Sequence, residues 1–245
     1  MIRARAALLA SSLALLCACA TAGGEDPNPD PIEPANRASF AFNDTLDVYA
    51  LAPAATGWTW ITFEGLRVAI GRAMDNLSFP QRLVGNLFQG KLVNTASEIA
   101  RFTLNSTAGL LGFFDPAAEL GLGPHDEDFG QVLACWRVPA GPYLMIPLLG
   151  PSNPRDAVGQ LVDSVLASGP VIASPIAGAI LGAVDTINSR ALLLQPMRDA
   201  KAGSLDYYVF VRDAYTQHRA NQISNRQGPA ESDDDDLYEL EEDDE

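Results

Sequence analysis

Histidine and cysteine are nearly absent from this chain, with two of the first and three of the second in 245 residues. Cys17 and Cys19 both fall within the first twenty positions, so the remainder holds only Cys135 and cannot close an internal disulfide. In a fold that stands without one, Cys135 is expected as a buried thiol. With His125 and His218 alone, neither a cysteine–histidine–carboxylate nucleophile nor a histidine-based metal site has its parts. No Gly-x-Ser-x-Gly elbow occurs, and Asp126 and Asp128 are not at the spacing of a His-x4-Asp acyltransferase from His125. The chain therefore reads as no enzyme, without metal or cofactor. Positive charge is also scarce, 16 basic residues against 31 acidic ones, and that sign excludes binding to a nucleic-acid backbone. Eleven of the acids lie within 231–245, so the body is only mildly acidic, and residues 228–245 read as a disordered acidic tail.

Residues 1–18 have the order of a secretory signal peptide, Arg3 and Arg5 followed by an apolar stretch too short for the roughly 20 residues that span a bilayer. In Leu16-Cys17-Ala18-Cys19, only Cys19 has a small residue directly before it and an aliphatic one three before it, the pattern a lipoprotein signal peptidase requires. Cys19 is the expected lipidated N-terminus. At about 0.8 kcal/mol per buried methylene, three acyl chains there make a near-permanent membrane anchor. Ala20 follows where an aspartate would favour retention at the inner membrane, so the expected destination is the outer membrane, on its periplasmic side. Residues 19–34 hold the lipidated end and a Pro-, Gly- and Asp-rich tether, and residues 35–227 form one domain.

Within that domain the apolar spacing is helical: Ile99, Phe102, Thr103 and Leu110 follow one row, and Leu46, Tyr49 and Ala50 another. Asn36, Asp75 and Asn94 are expected N-caps, and Gly90, Gly109 and Gly121 expected stops. No alternating Val, Ile or Thr run argues for a sheet, so the fold class is mainly α. Two uncharged segments stand out. Residues 138–151 carry four prolines and cannot be one straight helix, and residues 164–184 are interrupted by Gly169-Pro170 and Pro175. Composition leaves two readings open, a buried loop and core helices in water, or a bent membrane or ligand element.

A series of ordered motifs bears on that choice. Asp30-Pro31-Ile32-Glu33 leads into Asn36-Arg37-Ala38-Ser39-Phe40-Ala41-Phe42-Asn43. Asn86-Leu87-Phe88-Gln89-Gly90-Lys91 follows, then Arg101-Phe102-Thr103-Leu104-Asn105-Ser106-Thr107-Ala108-Gly109 with Gly112-Phe113-Phe114-Asp115. Later come Glu127-Asp128-Phe129-Gly130-Gln131, the run from Gly141-Pro142-Tyr143 to Gly150-Pro151 with Arg155-Asp156, Leu205-Asp206-Tyr207-Tyr208 and Arg212-Asp213-Ala214-Tyr215. In order and spacing, from Asp30 to Arg219, this set resembles the VacJ/MlaA family of outer-membrane lipoproteins.

The resemblance implies a ring of helices embedded in one membrane leaflet around a central amphipathic channel. It further implies removal of misplaced phospholipids from the outer leaflet, held in place by a trimeric porin and relayed to a periplasmic lipid carrier, so that outer-membrane lipid asymmetry is maintained. Transient phospholipid and the anchor on Cys19 are then the non-protein groups. A structural lipoprotein scaffold associated with a porin is the alternative. Expected channel or lid residues are Asn36, Phe40, Phe42 and Asn43 near the start, and Tyr143, Leu144, Ile146, Pro147, Leu148 and Leu149 in the proline-bent run, with Gly141 and Gly150 as hinges. Arg155 closes that run, to pair with Asp156 or face a headgroup. Phe40 and Phe42 are too close to share a helix face, so one is expected inward and the other toward lipid. Trp58, Trp60 and Phe63 are expected at headgroup level.

Overall fold

A computed structural model describes residues 30–168 and 175–224. The signal peptide, Cys19, the tether through residue 29, the Gly169-Pro170 break and the acidic tail lie outside the described residues.

Helices dominate, as expected. α1 (Glu33–Leu46) passes through a π-helical turn (Asp47–Leu51) into α2 (Ala52–Ile61). Then come α3 (Glu64–Leu77), α4 (Phe79–Phe88), α5 (Leu92–Thr107), the single turn α6 (Pro116–Glu119) and α7 (Phe129–Cys135). α8 (Pro154–Ser168), α9 (Pro175–Leu192), α10 (Leu194–Gly203) and α11 (Tyr207–Ser224) complete the chain. A proline-rich sequence stays helical because its prolines open helices: α1, α2, α4 and α6 each carry one in the first turn, where no intrahelical N–H is needed. The π turn has the same origin. Pro53 clashes with the carbonyl four residues back, and the helix widens just before it, so that the Ala52 N–H reaches Asp47.

The three expected N-caps are not caps. Asn36 lies inside α1, Asp75 in the last turn of α3 and Asn94 inside α5. Proline and tertiary packing set those starts instead, and among the described residues side-chain caps form at Asp115 on α6, Asp128 on α7, Asn153 on α8 and Asp206 on α11. Gly90 and Gly121 follow α4 and α6 at φ 76° and 78°, as stops should. Cys135 is likewise corrected. It is exposed, because α7 buries Gly130, Gln131 and Val132 and its last residue lies beyond that packed turn.

Sheet is present where none was expected. β1 (Leu144–Ile146) and β2 (Gly150–Ser152) form an antiparallel hairpin with Leu144 opposite Ser152 and Ile146 opposite Gly150. The run is too short for an alternating pattern to show, and its prolines fall in the turn and at a terminal strand.

Burial is inverted relative to a water-soluble domain. Among the described residues the buried apolar set is small, four alanines with Val132, Tyr143, Met145 and Tyr208. The buried polar set is larger and includes Glu98, Asn86, Asn188, Asp156 and Arg219. Large apolar side chains lie outside, with Trp60 84%, Val93 83% and Ile176 74% exposed. Leu46, Tyr49, Ile99 and Leu110, from the helical rows read in the sequence, also face outward. Hydrogen bonds make the polar interior tolerable. Fully buried Glu98 accepts from Arg82 Nε and from the His125 N–H, both at 2.8 Å. Gln89 and Lys91 both donate to Glu127, joining two motifs that are far apart in sequence.

Candidate functional site

One face of α1 organises the hairpin. Asn36, Phe40 and Asn43, spaced four and seven residues from the first, share that face. β1 would otherwise present an open edge of backbone groups. The asparagines cover it: Asn36 donates to the Tyr143 carbonyl at 3.0 Å and accepts from the Met145 N–H at 2.9 Å. Asn43 donates to the Ile146 carbonyl at 2.9 Å and accepts from the Leu148 N–H at 2.8 Å. Leu148 sits at φ 68°, a costly conformation for leucine that this clamp holds in place. Gly141 and Gly150, the expected hinges, have φ 77° and 86°. Between the asparagines Phe40 meets the rings of Tyr207 and Tyr208 edge-on, while Phe42 points the other way and is 53% exposed.

Behind the hairpin opens a cavity of about 950 Å³, near the upper end of the roughly 300–1,000 Å³ range of ligand pockets. α1, the π turn and α2 give one wall, with Leu46, Val48 and Leu51. α9, α10 and α11 give another, with Ile187, Leu194 and Met197, and the hairpin contributes Met145, Leu148 and Leu149. Charge is confined to Asp44 and Asp47 on the first wall and Arg190, Arg198 and Lys201 on the second. Arg190 donates to both Asp47 oxygens at 2.6 and 2.9 Å, and Lys201 to both Asp44 oxygens at 2.6 and 2.8 Å. The site is therefore amphipathic, apolar for most of its lining and ionic along one edge.

A second cavity of about 650 Å³ lies on the other side of the hairpin turn, and Leu149 lines both. Ile146, Leu161 and Tyr215 line it together with Asp128, Asp156, Asp163 and Arg219. Arg219 of α11 donates to Asp128 at 2.8 Å and to Asp156 at 2.7 Å, tying α7 and α8 to its own helix. Burial alone would raise both carboxylates, but the Arg219 hydrogen bonds and charge outweigh it and hold them below the usual range. Asp163 has no such partner. Burial raises it to about 6, only partly offset by the Phe129 N–H it accepts.

Of the residues expected from sequence, Phe40, Asn43, Leu148 and Leu149 line the larger cavity and Ile146 and Leu149 the smaller. Asn36 and Tyr143 are buried in the scaffold behind them, and Leu144 is paired in β1. Pro147 is exposed in the turn. Arg155 is buried and donates to Asp156 at 2.9 Å. Sequence reading missed the ionic edge. Asp44 and Asp47 adjoin a quoted motif, but nothing in the sequence couples them to Arg190 and Lys201, 143 and 157 positions away.

The MlaA lipoprotein profile matches residues 28–222. An uncharacterised protein of Rickettsia felis is 34% identical over 197 residues, covering 80% of this chain and 77% of its own. The intermembrane phospholipid transport system lipoprotein MlaA of Escherichia coli K12 is 31% identical over 222 residues, covering 87% and 86%. A structure solved in work on the structural basis for maintenance of bacterial outer membrane lipid asymmetry aligns with a TM-score of 0.69 at 30% identity, covering 79% of this chain and 98% of that one. A match across most of the body, agreeing in sequence and in backbone, establishes that the chain belongs to the MlaA lipoprotein family.

Proposed function

We propose that this protein is an outer-membrane lipoprotein, anchored through Cys19 on the periplasmic side, which takes misplaced phospholipids from the outer leaflet and delivers them to a periplasmic carrier. The observation that carries this reading is the amphipathic cavity inside a molecule whose exterior carries many large apolar side chains. Moving two acyl chains of about 16 carbons each into water costs on the order of 25 kcal/mol, and an apolar wall removes most of that. An ionic edge supplies what a phosphate-bearing headgroup needs. The E. coli relative is named for intermembrane phospholipid transport, which agrees.

In this reading the body is a ring lying in one leaflet. Its support is the order of packing: α1 through the π turn to α2, α2 to α9, α9 to α3, α3 to α4, α4 to α7 and α8, α7 to α11, and α11 through the hairpin back to α1. No single described helix is long and apolar enough to cross a membrane, and α9 from Ile176 with α10 reaches that length and apolarity only as a pair bent by 56°. The turn at Pro147–Leu149 is the lid between the two cavities, and a trimeric porin holds the ring in place.

The test compares surface-exposed phospholipid in cells lacking the gene, restored with the wild type or with Cys19→Ala. Surface phospholipid should rise on deletion and fall only with the lipidated form. Normal surface phospholipid with reduced porin would overturn the transport role and favour a porin scaffold.

A further inference from the structure

We propose that Asp30 is a positioning residue for the lid, holding the root of the hairpin on α1 by fixing the amide of Asn36; this rests on the lipid-transport reading above. The composition of residues 19–34 reads as a tether, in which a carboxylate would face water. Asp30 is instead fully buried, 0% exposed. Burying a carboxylate is costly unless its oxygens are bonded, and the bonds it makes show what it holds. Asn36 Nδ2 donates to Asp30 Oδ1 at 2.7 Å and to the Tyr143 carbonyl at 3.0 Å, so its two hydrogens are divided between the carboxylate and β1. Asn36 Oδ1 is left facing the Met145 N–H at 2.9 Å. Turning the amide over would set Oδ1 against the carboxylate, so Asp30 fixes the direction of the amide and with it both bonds to β1.

The other carboxylate oxygen ties this joint to α11. It accepts from the Tyr208 hydroxyl, whose ring meets Phe40 edge-on at 5.5 Å and Tyr143 at 6.3 Å. One buried side chain therefore joins α1, β1 and α11 below the turn. The two asparagines divide the hairpin between them. Asn43 holds its tip at Ile146 and Leu148, Asn36 holds its root at Tyr143 and Met145, and Asp30 stands behind the root. Met145 and Phe40 pack together at that root and both line the larger cavity, so a slack root alters the cavity wall as well as the turn. Asp30 is also the first described residue after Cys19, eleven positions downstream of it, so the chain enters the described fold at the residue that holds the lid.

The test measures amide exchange of purified full-length lipidated protein in detergent micelles, and surface-exposed phospholipid in cells lacking the gene and carrying the same variants. Asp30→Ala is expected to speed exchange over 143–146 about tenfold, leave 211–222 of α11 at the wild-type rate, and fail to bring surface phospholipid down to the wild-type level. Asp30→Asn keeps an acceptor for Asn36 and should restore both. The deciding comparison is a double-mutant cycle with Asn36→Ala. If Asp30 acts through Asn36, adding Asp30→Ala to Asn36→Ala changes hairpin exchange by less than about twofold. Additive effects, or exchange in α11 rising with the hairpin, would overturn the proposal and make Asp30 a packing residue of α11. So would an Asp30→Ala protein that fails to fold while Asn36→Ala folds. Faster hairpin exchange with surface phospholipid at the wild-type level would overturn it too, since the root would then not matter to transport. A wild type that does not lower surface phospholipid would overturn the transport reading and the lid with it, whereas the exchange cycle alone would still tell whether Asp30 holds the hairpin.

Discussion

Arg219 shows how a polar interior holds together at the scale of one residue. Its guanidinium faces two carboxylates from two helices, and removing it would leave half-buried Asp128 without a cation and buried Asp156 with Arg155 alone. Arg219→Met is expected to cost about 3–5 kcal/mol, measured by thermal or denaturant unfolding in micelles. A loss below about 1 kcal/mol would mean that the network is solvated and contributes little. The neighbouring carboxylates respond to pH in opposite senses. Asp128 and Asp156 titrate lower in the fold than in the open chain, so their contribution is present above about pH 4 and fades as pH falls further. Asp163 is raised to about 6, so the fold loses stability as pH rises from about 4 to 6. Asp163→Asn keeps an acceptor for the Phe129 N–H and loses the charge. It should unfold at a higher temperature than wild type at pH 7, by on the order of 1 kcal/mol, and at the same temperature near pH 3.5. An advantage that persists unchanged at low pH would refute the titration and leave only a packing effect.

At the scale of elements, the hairpin depends on α1 more than on itself, since a two-stranded ribbon is marginal alone. Asn43→Ala removes both bonds to the turn and should cost about 1–3 kcal/mol. Faster amide exchange over 144–152, with α1 and α11 unchanged, is the expected signature. Exchange rising everywhere would instead make the clamp a general core contact. The crossing of α7 and α8 is fixed differently. A Cβ on Gly159 would lie 2.4 Å from the Gly130 backbone nitrogen, so Gly159→Ala must separate the two helices. A cost of about 1–3 kcal/mol is expected from unfolding in micelles, and a neutral result would show that the crossing adapts.

For the whole molecule the decisive feature is the inverted distribution of polarity, which suits an apolar solvent outside and hydrogen bonds within. Trp60, 84% exposed beside Ile61 and Phe63, is the natural probe of that solvent. A variant retaining Trp60 as its sole tryptophan should be strongly quenched by brominated phospholipid in vesicles. One retaining only Trp58, which donates to Asn188 at 3.1 Å, should be quenched much less. Equal, weak quenching in both would place this edge in water.

Sequence alone settled the helical class, the family resemblance and the presence of two uncharged, proline-broken segments, because helical period, proline and motif order are local properties of the chain. It also separated Phe40 from Phe42, since positions two apart on a helix point in different directions. It misplaced the caps at Asn36, Asp75 and Asn94: all three lie inside helices, and for Asn36 the reason is that an asparagine suits a helix start and a tertiary hydrogen bond equally well. The hairpin escaped notice because strands of three residues carry no period, and its edge is completed by side chains more than a hundred positions away. The exposure of Cys135 and the outward turn of Leu46 and Ile99 depended on which neighbours each helix met. Tertiary structure alone brought Asp44 and Asp47 to Lys201 and Arg190, because charges pair through space and the spacing of residues along a chain does not specify which walls of a cavity will face each other.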